Sequence, residues 1–275
     1  MAKRAEIGIF TVSASSQVRE EHKGQVIVSG SYGGEYNAYH AGKWGLRGVI
    51  LNDAGIGKND AGIRGLPYLD QIGLAAATAD SNTCHIADGD HMLAHGLISH
   101  VNRAATMIGC KVGQSVRDCA DLMRSATVAT GALPLISGGK RFTIRENPGE
   151  PKIICLDAAP MLEPGDAGAI AITGSHAALF RGRPDGVIGP DVFAVFFNDA
   201  GGGLDNAGIS RLPTLDERGI VAGAVAAASA PIGDSRRIYN DGVLSHVNET
   251  AATLGGRPGM KLKDFVERLV EATKG

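Results

Sequence analysis

The 275-residue chain is predicted to fold as an α/β protein: two tandem β-α-β-α-β-α repeats with mainly parallel sheets, forming three-layer sandwiches related by a pseudo-twofold. The first observation behind this is that nearly the same sentence occurs twice. LNDAGIGKNDAGIRGLPYLD runs from Leu51 to Asp70, and FNDAGGGLDNAGISRLPTLD from Phe197 to Asp216. Asn52 and Asn198, His100 and His246, Gly109 and Gly255, and Asp118 and Asp264 all keep one offset of 146 residues, so 52–118 matches 198–264 without a gap. The second observation is a set of short, continuous apolar runs, which suit strands buried on both faces of a parallel sheet. The third is punctuation between those runs. Pro67 and Pro213 suit a first helical turn, and Gly73 and Gly219 suit the position just past a helix end.

Taken in order, IFTVSA (9–14) is the first strand. At the upstream offset of 144 set by Gly30 and Gly174, it falls on IICLDA (153–158), inside the second copy. That match, together with Glu6 interrupting the apolar run, argues against a secretory leader at MAKRAEIGIF. QVIVSG and GAIAITG supply the second strand, RGVILNDAG and FAVFFNDAG the third, and GLAAATAD and GIVAGAVA the fourth. Longer helices are predicted near 90–108 and 236–254. The last helix, KLKDFVERLVEATK, places Leu262, Phe265, Val266 and Leu269 on one face. Between the copies, KRFTIR and KIICLD flank ENPGEP, which reads as a hairpin crossing from one lobe to the other. The repeats cover roughly 5–120 and 149–266. The domains expected are a first α/β repeat over 1–120, a crossover linker with hairpin over 121–148, and a second α/β repeat over 149–275.

Composition narrows the function classes. Hydrophobic residues at 44% and charged residues at 20% exclude a disordered or fibrous chain. A net charge of −2 and 5% aromatics supply neither a basic field nor a stacking surface for nucleic acid. GIVAGAVAAASAPIG (219–233) is too short to span a bilayer. Cys84, Cys110, Cys119 and Cys155 form no Cys-x-x-Cys pair, so they read as thiols of a reducing compartment. The expectation is a cytoplasmic homo-oligomer with a small-molecule partner and no nucleic acid, membrane or cofactor.

Open parallel sheets bind ligands beyond the carboxyl ends of their strands. The loops leaving those ends are the most glycine-rich and polar segments: SGSYGGEY and TGSHAALF, then NDAGIGKNDAG and NDAGGGLDNAG, then DSNTCHIADGDH and ASAPIGDSRR. Neither a dinucleotide fingerprint nor a phosphate-binding Walker loop is present. In the first loops, Ser31 and Ser175 occupy matching places, with His176 where the other copy has Tyr32. They are candidates for holding an anionic or carbonyl group, and the competing reading is an ordinary turn with a Ser cap. In the second loops, Asp53 and Asp199 follow Asn52 and Asn198. An Asp there can act as general base, or it can merely cap the turn. Retention in both copies favours the turn, since a catalytic residue need not be kept twice.

The third loops share Asp88 and Asp234 but diverge around them. Cys84 faces Ala230, Asp90 faces Arg236, His91 faces Arg237, and His95 faces Asp241. Arg236 and Arg237 are expected to anchor a carboxylate or phosphate. Cys84 with His91 is a candidate nucleophile and base. His91 and His95 lie four apart on one helical face, a spacing open to metal, although solvated histidines are commoner and no metal is assigned. SHVN recurs in both copies. Either His100 lies deep in one long helix as a structural residue, or Ser99 and Ser245 cap new helices and place His100 and His246 at anion-binding N-termini. The leading expectation is a cofactor-independent hydrolase, lyase or isomerase acting on a small anionic substrate by acid–base chemistry next to a carbonyl or carboxylate. The alternative is a non-catalytic binding or sensor protein with duplicated lobes. Asp53, Asp199, His91, His100, His246 and Cys84 are the catalytic candidates. Ser31, Ser175, His176, Asn52, Asn198, Asp88, Asp234, Arg236 and Arg237 are the substrate-binding candidates.

Overall fold

The apolar runs become strands and the residues punctuating them become turns. The computed structural model describes residues 7–136, 139–183 and 188–274. Lys3 and Arg4, in the basic start weighed above as a leader, lie outside the described residues. The chain divides into two compact units. The first takes the described residues through Ala54, then Gly62–Ile136 and Gly203–Asp205. The second takes Gly55–Ala61, the described residues from 139 to 202, and those from Asn206 onward.

In the first unit, β1 (Ile9–Val12), β2 (Val26–Tyr32), β3 (Gly48–Asn52), β4 (Ala75–Ala79) and β5 (Ile98–Val101) lie side by side in chain order. The first four strands are parallel and β5 is antiparallel to β4. Alternation along each strand splits the core between two faces. Val26, Val28 and Ile50 pack with Met92, Val116, Cys119 and Met123, which come from α3 (Gly89–His95) and α5 (Val116–Met123). Ile27, Val49 and Leu51 pack with α1 (Glu35–Gly42) and α2 (Gly65–Asp70) through Ala38, Ala41, Leu66 and Leu69. A short α4 (Arg103–Met107) follows β5.

The second unit has six strands. β6 (Arg141–Arg145) pairs antiparallel with β7 (Ile153–Leu156), so the predicted hairpin forms, and it lies within this unit's own sheet. β8 (Ile170–His176), β9 (Ala194–Asn198) and β10 (Val221–Val225) continue parallel, and β11 (Leu244–Val247) closes antiparallel. One face carries α7 (Ser235–Asp241), α8 (Glu249–Thr253) and α9 (Leu262–Ala272), with Phe265 edge-on to Phe196 at 5.8 Å. The other face carries α6 (Leu212–Asp216). Both sheets are therefore mixed and mostly parallel, with helices packed against them. No helix of the described residues is long and apolar enough to cross a membrane.

Two expectations are corrected. The segments 90–108 and 236–254 are not single helices; each is helix, strand, helix. Gly96 ends α3 in extended conformation, where a Cβ would lie 2.7 Å from the Met92 carbonyl oxygen and 2.8 Å from Val116. That spot admits glycine alone, and beyond it Ile98–Val101 pairs with β4. SHVN is thus a strand followed by a cap, and the cap is Asn rather than Ser. The Asn102 Oδ1 accepts the Ala105 N–H at 2.9 Å, and Asn248 does the same for Ala251. His100 and His246 lie mid-strand, opposite Thr78 and Ala224, so both helical placements proposed for them fail. The second correction concerns the β8–β9 connection, which contains no α-helix among its described residues. Its sequence, RGRPDGVIGP, carries Gly and Pro at five of ten positions.

Candidate functional site

The repeated NDAG builds the same turn at both sheets. Asn52 and Asn198 end β3 and β9, and their Oδ1 atoms accept the N–H of Ala54 and Ala200, each at 2.9 Å. This local bond bends the chain so that Ala54 (φ 49°) and Ala200 (φ 51°) enter the left-handed region. The next side chain braces the neighbouring strand's loop. Asp53 Oδ1 accepts the Ser81 N–H at 3.0 Å. Asp199 Oδ1 accepts the N–H groups of Gly201 (2.8 Å) and Ala227 (2.9 Å). Both aspartates are buried.

A hollow of about 480 Å³ opens at the carboxyl ends of the second unit's strands. Gly55, Ile56, Gly57, Lys58, Asp199, Gly201 and Ala226–Ala228 line it. The Lys58 N–H bonds the Ala227 carbonyl at 2.8 Å, and its ammonium donates to the Ser229 carbonyl at 2.9 Å. The same segment is strained. Ile56 (φ 64°), Asn59 (58°) and Asp60 (55°) are non-glycine residues in the left-handed region, a rare state for a β-branched side chain. Such strain persists only where the surroundings over-determine it, and it concentrates at functional sites. The arrangement sets an ammonium and a carboxylate in one glycine-lined depression, over an alanine wall that leaves the room.

In the first unit, the third loop gathers imidazoles. His85 stacks on His91 at 3.8 Å between centroids, and His91 meets His95 at 4.6 Å. His85 Nε2 lies 2.8 Å from Asp205 Oδ2. Burial, then repulsion from His85 and His95, hold His91 below the usual imidazole range. Cys84 is fully buried, its thiol pushed up to about 12 by burial, and it donates to the Asp80 carbonyl. A thiol placed so is protonated at neutral pH, and among the described residues no hydrogen bond joins it to His91. The described residues contain no cluster of three or more His, Cys, Asp or Glu able to hold a metal ion.

Other candidates brace the backbone. Ser31 and Ser175 accept the N–H of Ser15 and Ala159, each at 2.9 Å. Asp88 and Asp234 cap α3 and α7 through the N–H of His91 and Arg237. Arg236 and Arg237 are exposed, and Arg236 lies 4.2 Å over the Phe142 ring. His100 keeps a buried Nδ1 without a partner among the described residues, whereas His246 Nδ1 reaches Ser245 Oγ at 3.1 Å. Of the candidates, Asp199 alone lines the hollow.

Three residues were missed by sequence reasoning: Lys58, Arg211 and His85. Lys58 aligns with Leu204, Arg211 with Gly65 and His85 with Pro231. Divergence inside the repeat was the available signal; it was read at Tyr32 and His176 and at four positions of the third loop, and His85 against Pro231 was passed over. Compared with known proteins, the chain matches no family model, no curated protein and no solved structure.

Proposed function

We propose that this chain is an enzyme of small-molecule metabolism, moving a proton next to a carbonyl or carboxylate, with its site in the hollow of the second unit. The observation that carries this reading is that Lys58 and Asp199 line one depression at strand ends, over a strained glycine-rich loop. The ammonium would hold the anionic group of the substrate. The carboxylate, whose N–H partners among the described residues all bind Oδ1, would exchange the proton through its other oxygen. Isomerisation, elimination and hydrolysis next to a carbonyl all begin with such a transfer. We also infer that the two units descend from one duplicated unit, since strand order and the NDAG turn recur in both. Four free cysteines fit a reducing compartment.

The second reading is binding without chemistry. It draws on the same aspartates, since a carboxylate that accepts two backbone N–H bonds has a structural task already. Solvent deuterium exchange separates the two. A panel of small oxo and hydroxy acids in D2O, followed by proton NMR, should show catalysed exchange at the carbon beside the carbonyl of at least one member. Asp199→Asn keeps an acceptor for both N–H groups and should abolish exchange while the protein stays folded. Lys58→Met should raise KM more than it lowers kcat. Saturable binding without exchange, unaltered in Asp199→Asn, would establish the binding protein instead.

A further inference from the structure

Arg211 precedes α6 and is 4% exposed. Its backbone N–H donates to the Ala177 carbonyl at 2.8 Å and its Nη2 to the Ala178 carbonyl at 2.7 Å. Its guanidinium carbon lies 5.9 Å from the Phe180 ring centroid, and Phe180 stands edge-on to His176 at 6.3 Å. His176 is the last residue of β8, opposite Asn198 of β9, so the group sits at the strand ends where open parallel sheets receive ligands. Among the described residues, the buried Arg211 Nε has no hydrogen-bond partner and no carboxylate pairs with the guanidinium. A guanidinium carries five N–H donors, and among the described residues one carbonyl is all that its side chain finds.

A buried charge without a counter-charge opposes folding, and a chain retains one where an anion offsets it. His176 cannot be that anion, and its Nδ1 is already committed to the Ala178 N–H at 3.2 Å. The aligned position in the first unit excludes any such group. Gly65 stands there, and a Cβ on it would lie 2.7 Å from the Ala38 Cβ and 2.8 Å from the Gly33 carbonyl oxygen. Tyr32 stands where His176 does. Arginine and histidine thus stand together in the second unit, at one strand end, where the first unit has glycine and tyrosine.

We infer that Arg211, with His176 beside it, receives a small oxyanion, either a carboxylate or a phosphate, at the end of β8. Arg211 supplies the charge and a planar fork matched to two oxygens. His176 Nε2–H is available as a further neutral donor once Nδ1 accepts from the backbone. Burial holds the guanidinium down to about 10, and burial with Arg211 holds the His176 imidazole down to about 3. The inference does not rest on the hollow at Lys58.

The test is thermal unfolding of the whole chain in sodium acetate, sodium phosphate and sodium chloride at matched ionic strength. Lys58→Met, which lacks the cation of the hollow, should gain about 3 °C in acetate or phosphate at ten times the Kd. Lys58→Met/Arg211→Met should gain no more than in chloride, and without oxyanion it should melt no lower than Lys58→Met, because the uncompensated charge is gone. Which salt acts distinguishes carboxylate from phosphate. On the wild-type protein alone, His176 ring resonances should shift with the active salt and not with chloride. Equal responses of Lys58→Met to all three salts, a Lys58→Met/Arg211→Met protein that responds like Lys58→Met, or unmoved His176 resonances would each overturn the proposal.

Discussion

The Lys58 ammonium donates to the Ser229 carbonyl oxygen at 2.9 Å in the second unit, and the residue aligned with Lys58 is Leu204. Their backbones do the same work. The Lys58 N–H bonds the Ala227 carbonyl and the Leu204 N–H bonds the Ser81 carbonyl, each at 2.8 Å. One backbone arrangement therefore carries a cation in one place and an apolar side chain in the other.

From this, Lys58→Leu should fold almost normally. It keeps the backbone bond and removes a half-exposed hydrogen bond that contributes on the order of 1 kcal/mol. Urea midpoints should differ little from wild type, while affinity for small carboxylates at the hollow should fall at least tenfold. A large loss of stability would make Lys58 a structural strut rather than an anchor.

The recurrence of SHVN has a structural origin in its last residue. Asn248 Oδ1 accepts the N–H groups of Ala222 (3.0 Å) and Ala251 (2.9 Å), and its Nδ2 donates to the Ile220 carbonyl (2.8 Å). Asn102 makes the matching set with Ala76, Ala105 and Leu74. Asn248→Ala strands three buried backbone groups and should cost about 3 kcal/mol or more. His246→Gln, at a residue whose Nδ1 meets the adjacent Ser245 hydroxyl, should cost under about 1 kcal/mol. Equal losses in chemical denaturation would contradict this division of roles.

How much of this was legible beforehand follows from range. The strands, the turn glycines Gly73 and Gly219, and the β6–β7 hairpin are written in local patterns. β5 and β11 were not, because Leu-Ile-Ser-His-Val continues a helical period, and it is pairing with β4 and β10 that makes these segments strands. That pairing is tertiary. The aspartates of NDAG were placed correctly at strand ends. The hollow escaped, because Lys58 carries no motif and meets Ser229 across 171 residues of sequence. Arg211 escaped for the same reason: its burial depends on Ala178 and Phe180, not on its neighbours in the chain.

His176 predicts an acid limb in stability. Its folded pKa is depressed to about 3, by burial and then by Arg211, below the ordinary imidazole value near 6.5. Between those values the unfolded chain binds a proton that the folded chain refuses, so stability falls as pH drops below about 6.5. His176→Asn keeps an acceptor for the Ala178 N–H and removes the titration. From pH 7 to 4.5 its unfolding free energy should fall less steeply than wild type, the difference approaching one proton. Parallel curves for the two proteins would show that His176 titrates normally.

Ile56 joins strain to the hollow. Its φ of 64° costs an L-residue about 1–2 kcal/mol, and its side chain is only partly buried, so packing returns part of that. Comparing Ile56→Ala with Ile56→Gly isolates the backbone, since both remove the side chain and only glycine escapes the left-handed penalty. Glycine ordinarily loses to alanine by roughly 0.5–1 kcal/mol through unfolded-state entropy. Here the order should reverse, with Ile56→Gly more stable than Ile56→Ala by about 1 kcal/mol. Function should move the other way. A glycine at 56 lets the loop that carries Gly55, Gly57 and Lys58 sample more conformations, so binding at the hollow must then supply the ordering. Ile56→Gly should bind small carboxylates more weakly than Ile56→Ala although it is the more stable of the two. If stability and affinity instead rank the two variants alike, the strain at Ile56 is a by-product of the turn and has no part in shaping the site.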